Sequence, residues 1–178
     1  MMDSSGKNRR NNRPARLVPK KAFFTTGTGR HREMLESFEM ALRDAGIEKF
    51  NLVTVSSILP PGCEVVGKAE GLAELVPGEV VFTVMSRNSS NEPSRRIAAA
   101  IGCAIPEHPR EDFGYISEHH SYGESEECAG QYAVELAGEM YFTWKKERPL
   151  KVNYAARSAE VDDDGNWTTV IAAAVFII

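Results

Sequence analysis

Hydrophobic and polar positions along this chain of 178 residues switch between two periods. A period of two marks a half-buried strand, and a period near 3.6 marks an amphipathic helix. "PKKAFFTTGTG" (19–29) predicts a short strand ending in a glycine turn. In "HREMLESFEMALRDAG" (31–46), Met34, Leu35, Phe38, Ala41, Leu42 and Ala45 share one helical face, with Gly46 as the C-terminal stop. "FNLVTVSSI" (50–58) reads as a strand, "PPGCEVVGKAEGLAELVPG" (60–78) as a connection, and "EVVFTVMS" (79–86) as the next strand. Ile97, Ala99, Ile101, Cys103 and Ile105 alternate in "RRIAAAIGCAIPE", which predicts a strand despite its alanines.

"FGYISEHH" (113–120) is a further short strand. The second long helix is "ESEECAGQYAVELAGEMYFTW" (124–144). Acids fill its first turn, where the helix dipole favours them, and Cys128, Tyr132, Leu136 and Met140 recur every four residues. The closing stretch, 152–178, is expected to form a hairpin turning at the Asp/Gly/Asn cluster 162–166. Its last strand, "VIAAAVFII", is apolar on both faces and belongs in the middle of a sheet. The order β-α-β-β-β-β-α-β-β implies an α+β protein: a layered αββα sandwich with two long helices and about seven mostly antiparallel strands. No repeat of 20–50 residues is visible.

Composition narrows the class. With 42% hydrophobic and 26% charged residues the chain is an ordinary globular one, long enough for a single domain with its own core. No apolar run approaches the ~20 residues that span a bilayer, so no membrane partner is expected. Cys63, Cys103 and Cys128 are odd in number and far apart, which argues for a reducing, cytoplasmic setting rather than a disulfide framework.

Charge is uneven. Residues 1–21 hold seven of the 21 Lys/Arg and one of the 25 Asp/Glu, leaving the remainder at −10. That head has almost no large apolar side chain and reads as a disordered basic tail, with residues 22–178 as the folded domain. A solubilising extension accounts for it better than a nucleic-acid tail.

Common catalytic constellations are missing: there is no GxGxxG, no P-loop and no GxSxG elbow. Glu118, His119 and His120 are adjacent, but neighbours on a strand point to opposite faces, and His31 and His108 lie in polar connections, so no metal is expected. What remains is "NLVTVSSILPPG" (51–62), a strand that runs into a serine pair and a proline pair.

A serine hydroxyl can attack the carbonyl of the preceding residue and turn that amide into an ester, given a held backbone and an oxyanion donor. Loss of the second serine's α-proton then expels the upstream chain and leaves dehydroalanine, which hydrolyses to a pyruvoyl group. Pro60 and Pro61 would keep the turn stiff. A serine pair alone also suits an ordinary turn.

This segment closely resembles the processing site of the pyruvoyl-dependent arginine decarboxylases. The resemblance extends through "ALRDAGIEKFNL", "LVPGEVVFTVMS", "AAAIGCAIP" and "FGYISEH" and covers about residues 22–178. It implies cleavage between Ser56 and Ser57, with Ser57 becoming the covalent pyruvoyl cofactor and Ser56 ending the small chain near the substrate. Asn51 matches an asparagine that stabilises the processing oxyanion, a role suited to an uncharged amide donor. On a regular strand Asn51 and Ser57, six residues apart, face the same side.

Glu118 matches the catalytic acid, and Glu39 an acidic helix position, more often a shorter carboxylate, that meets the substrate's guanidinium. The implied reaction is decarboxylation of L-arginine to agmatine and CO2 through a Schiff base. It needs neither a metal nor pyridoxal phosphate, and it runs in trimers or pairs of trimers with the site between subunits. Two alternatives stay open at this point. One is a pyruvoyl enzyme for another amino acid such as histidine; the other is a non-enzymatic domain with a nucleic-acid-binding tail.

Overall fold

The computed structural model describes residues 16–178. The basic stretch 1–15, most of the expected disordered tail, lies outside the described residues. Among the described residues there are three helices and nine strands: β1 (Lys21–His31), α1 (Met34–Ala45), β2 (Asn51–Thr54), β3 (Ile58–Leu59), β4 (Glu64–Val65), α2 (Lys68–Glu74), β5 (Val80–Ser90), β6 (Arg96–Ile105), β7 (Gly114–Tyr122), α3 (Glu126–Lys145), β8 (Lys151–Glu160) and β9 (Trp167–Ile177).

Two sheets stack face to face. One has the order β2-β5-β9-β1-β4, the other β3-β7-β6-β8, and only the β1–β4 and β2–β5 pairs are parallel. Helix α1 covers the outer face of the five-stranded sheet and α3 that of the four-stranded one, giving the αββα sandwich.

Strand β9 explains the layering. Ile171, Ala173, Val175 and Ile177 pack with Ala41, Leu42 and Ala45 of α1, while Ala172, Ala174 and Phe176 pack between the sheets with Ile101, Cys103 and Ile116. A strand buried on both faces has to be apolar at every position, as this one is.

Several expectations are corrected. "TTGTG" is not a turn: β1 continues to His31, so that histidine ends a strand rather than lying in a polar connection. A Cβ on Gly27 or Gly29 would run into the α1 backbone at Ala41 and Ser37, so these glycines let the helix sit close on the strand. Ser37, not Met34 or Leu35, completes the buried face of α1, and Leu35 is 75% exposed. Gly46 does stop the helix, in the left-handed region at φ 76°.

Helix α3 buries Ala129, Ala133, Ala137 and Tyr141, one position round from the expected stripe; Cys128 and Tyr132 are exposed. Beneath its first turns β6 offers small residues (Ala98, Ala100, Gly102), so the helix settles close to the sheet there. The closing hairpin does not form: β8 pairs with β6 at one sheet edge, and β9 crosses to the centre of the other sheet. The expected connection 60–78 contains β4 and α2, and the expected strand 50–58 breaks into β2 and β3.

Candidate active site

That break falls on the serine pair and has a specific cause. β2 runs parallel to β5, and the Val55 N–H still donates to Thr83 O at 2.9 Å. Two residues later the Ser57 carbonyl accepts from Ile116 N–H at 2.7 Å, in the opposite sheet. The chain therefore changes sheets at Ser56–Ser57.

The crossover is tight. Ile58 N–H donates back to Ser56 O at 3.0 Å, the three-residue contact of a γ-turn centred on Ser57. Ser57 is not among the residues with positive φ, so the turn is of the low-strain inverse kind. Leu59 then anchors β3 in the inter-sheet core. Beyond it, Cys63 N–H donates to Pro60 O at 3.1 Å and Gly62 has φ 75°. That is a type II turn with Pro61 and Gly62 at its centre, which holds the downstream side rigid.

Ser56 is exposed and Ser57 half-buried. Ser56 borders an apolar recess of about 350 Å³, walled by Leu17, Pro19, Val55, Ile58, Phe82 and Phe176. Leu17 and Pro19 come from the segment ahead of β1, tied down where Lys20 N–H donates to Ile177 O at 2.8 Å. No periodic pattern marked either residue beforehand. Phe82 and Phe176 were legible only as core.

Glu118 lies on β7, paired with Ile101 of β6. The β3–β7 pairs are Ile58↔Tyr115 and Leu59↔Gly114, and the Ile116–Ser57 bond carries that register one residue further. Glu118 is two residues beyond Ile116, so it shares the Ser57 face of the sheet at diagonal-neighbour range, roughly 7–8 Å between backbones. Glu118 is exposed in the single chain, and the desolvation it meets there raises its pKa above the ordinary carboxylate value, against the opposing charge of His120. His120 stands two positions along on the same side. His119 faces away, with Nε2 2.8 Å from Glu124 and its ring against Tyr132. Alternation thus separates the two imidazoles. Among the described residues no group of three or more His, Cys, Asp or Glu is placed to hold a metal ion.

Thiol nucleophiles are disfavoured in the core: burial pushes Cys63 up to about 11 and Cys103 up to about 12. The remaining two candidates sit elsewhere in the chain. Asn51 opens β2 and its Nδ2 donates to Gly78 O at 2.7 Å, at the far end of the strand from the serines. The same-face argument fails because the strand stops at Thr54 and the chain turns away. Glu39 is on α1, in the outer layer, paired with Arg43 Nε at 3.1 Å. A single copy therefore brings together Ser56, Ser57 and Glu118, but neither Asn51 nor Glu39.

The serine pair thus sits at a stiff crossover between the sheets, with the Glu118 carboxyl on the same face. Residues 21–178 match the model of the pyruvoyl-dependent arginine decarboxylase family. A protein named pyruvoyl-dependent arginine decarboxylase from Methanocella arvoryzae is 75% identical over 162 residues, 91% of this chain and 98% of that one. One from Methanosarcina acetivorans is 60% identical, covering 92% and 98%, and one from Archaeoglobus fulgidus 52%, covering 91% and 100%. The chain belongs to the pyruvoyl-dependent arginine decarboxylase family.

Proposed function

We propose that this protein decarboxylates L-arginine to agmatine and CO2, using a pyruvoyl group that it makes from Ser57 by cutting its own chain after Ser56. The observation that carries this reading is the serine pair at the sheet-to-sheet crossover, with Glu118 on the same face. The names of the relatives support the substrate. The residues present fit the cofactor, since Ser57 follows a carbonyl held in a tight turn with a main-chain donor on its oxygen. Once formed, its carbonyl supplies an electron sink for the pair left behind by CO2.

The chain's own residues do the rest. Ser56 becomes the carboxyl terminus of the small chain at the recess, whose apolar walls shelter the methylene part of a substrate. Glu118 donates the proton to the former α-carbon, a task that requires a neutral carboxyl, and desolvation favours that form. Glu39 receives the guanidinium with its two oxygens.

Asn51 and Glu39 reach the serines from neighbouring copies in a trimer or pair of trimers. The placement of both away from Ser57 supports this, as do the exposed Met34 and Leu35 beside Glu39 on α1 and the exposed Val53 on edge strand β2. The three free thiols suit a cytoplasmic setting. Among the described residues no helix is long and apolar enough to cross a membrane. The test is CO2 release from a panel of amino acids, including arginine, lysine and histidine. Arginine should lead, and a preference for histidine would overturn the substrate assignment.

A further inference from the structure

We propose that the main-chain N–H of Ile58 is an oxyanion donor for the self-cleavage step, already in place within each uncut chain. The proposal rests on the self-processing reading above and deepens it by naming the group that meets the developing charge.

The step needs a donor at one atom. Ser57 Oγ bonds to the carbonyl carbon of Ser56, and the Ser56 oxygen takes the negative charge. The C–N bond to Ser57 then breaks as its nitrogen gains the hydroxyl proton. An ester replaces an amide, no atoms are lost and nothing is oxidised or reduced. Ile58 N–H points at that oxygen from 3.0 Å.

Register explains why this N–H is free for the task. On an antiparallel pair, successive residues aim their N–H and C=O groups alternately toward and away from the partner. The Ser57 carbonyl is engaged with Ile116 of β7, so Ile58 aims its N–H outward, away from β7. β3 is an edge strand, so among the described residues no further strand claims that hydrogen. The crossover folds the chain back so that the Ser56 oxygen fills the vacant direction.

The hydrogen bond closes a small, bent ring while the carbonyl is neutral. It strengthens as the oxygen acquires charge, since charge-assisted hydrogen bonds are about twice as strong as neutral ones. A donor that gains most in the transition state is one that accelerates the step. Ile58 N–H also lies downstream of the bond that breaks, so cleavage does not remove it. The amide of Asn51 in the same chain is engaged with Gly78 O at the far end of β2. An Asn51 from another copy would be a second donor, added on assembly.

A full-length chain with an ester in place of the amide at position 58 tests this: the ester deletes the hydrogen and, besides that, only weakens the Ser57 carbonyl as the acceptor for Ile116 N–H. Gly62–Cys63 is a suitable ligation junction: a synthetic 1–62 segment carries the ester, and an expressed 63–178 segment begins with cysteine. Refolding starts the clock, and intact mass counts the uncut chain. A chain ligated at the same junction with the ordinary amide at position 58 is the control, and it should cleave like the expressed protein. Ile58→Pro is the genetically encoded deletion of the same donor.

The ester chain should cleave about 100- to 1000-fold more slowly, the usual effect of removing one oxyanion donor. Its melting temperature should fall only slightly below that of Ser57→Ala, because this N–H takes no part in the β3–β7 ladder and the one bond weakened there is that from Ile116 N–H to the Ser57 carbonyl. Wild-type and ester chains cleaving at equal rates would overturn the proposal alone. A ligated wild-type chain that never cleaves would overturn the self-processing reading beneath it. Should Ile58→Pro fail to fold, the ester chain decides.

Discussion

Leu59→Ala separates the anchoring of the crossover from its chemistry. Leu59 is 3% exposed and packs between the sheets with Ile116 and Phe176. It also lies over Gly114, where an added Cβ would be 3.4 Å from the Leu59 Cβ. Truncation removes three carbons, about 2.4 kcal/mol at about 0.8 kcal/mol per buried group. A rigid cavity would add up to about 2 kcal/mol. β3 is only two residues long and sits at an edge, so partial collapse is expected and the loss should settle near 3 kcal/mol.

The stability arm is best run in Ser57→Ala, where cleavage does not interfere, by comparing urea unfolding with and without Leu59→Ala at one protein concentration. The kinetic arm follows fragment appearance in Leu59→Ala with Ser57 intact. Cleavage should slow by at least tenfold even where the chain is fully folded, because the Ser56–Ile58 turn loses the anchor next to it. A loss under 1 kcal/mol together with wild-type cleavage would refute the claim that β3 holds the scissile turn.

Three further outcomes follow from the same geometry. Glu118→Gln should lower kcat by about 10²- to 10⁴-fold. In the parent enzyme kcat should fall as pH rises through the elevated Glu118 pKa, because the proton is then lost, and the variant should lack that limb in a pH–rate profile. Glu39→Gln should raise KM for arginine about 10- to 100-fold, the value of a charged hydrogen bond, while leaving cleavage into two chains unchanged by gel. Gly102→Val places a Cβ against the Ala133 carbonyl of α3 and should cost about 1–3 kcal/mol or more, read as a drop in urea midpoint.

Much of the sandwich was legible in the sequence because its main elements carry strong periodicity. β9 declared its central place by being apolar on both faces, and Gly46 marked the end of α1. The failures share a different origin. Gly27, Gly29 and Gly102 look like turn or breaker residues, and only the layer above shows that they admit a helix backbone. The α3 stripe differs from the periodic one because β6 presents Ala98, Ala100 and Gly102 beneath Ala129 and Ala133, and large residues enter only further along, at Tyr141. Residues 162–166 are turn formers, but turn chemistry does not say whether the next strand returns to the same sheet.

At the candidate site, the serine pair stood out as a strand running into prolines, whereas Glu118 entered only through the family resemblance. Leu17 and Pro19 were not legible, since no pattern links them to the recess they wall. In a single copy Asn51 bonds to Gly78 at the far end of β2 and Glu39 pairs with Arg43 on the outer helix, and no pattern in the sequence predicts either distance from the serines.

The most direct measurement is the intact mass of freshly folded protein that releases CO2 from arginine. Two fragments, 1–56 and 57–178, are expected, with the larger lighter by one ammonia than a serine-ended chain and blocked to amino-terminal sequencing. Ser57→Ala should weigh as one piece and release nothing. An active preparation that weighs as a single unmodified 178-residue chain would contradict the account.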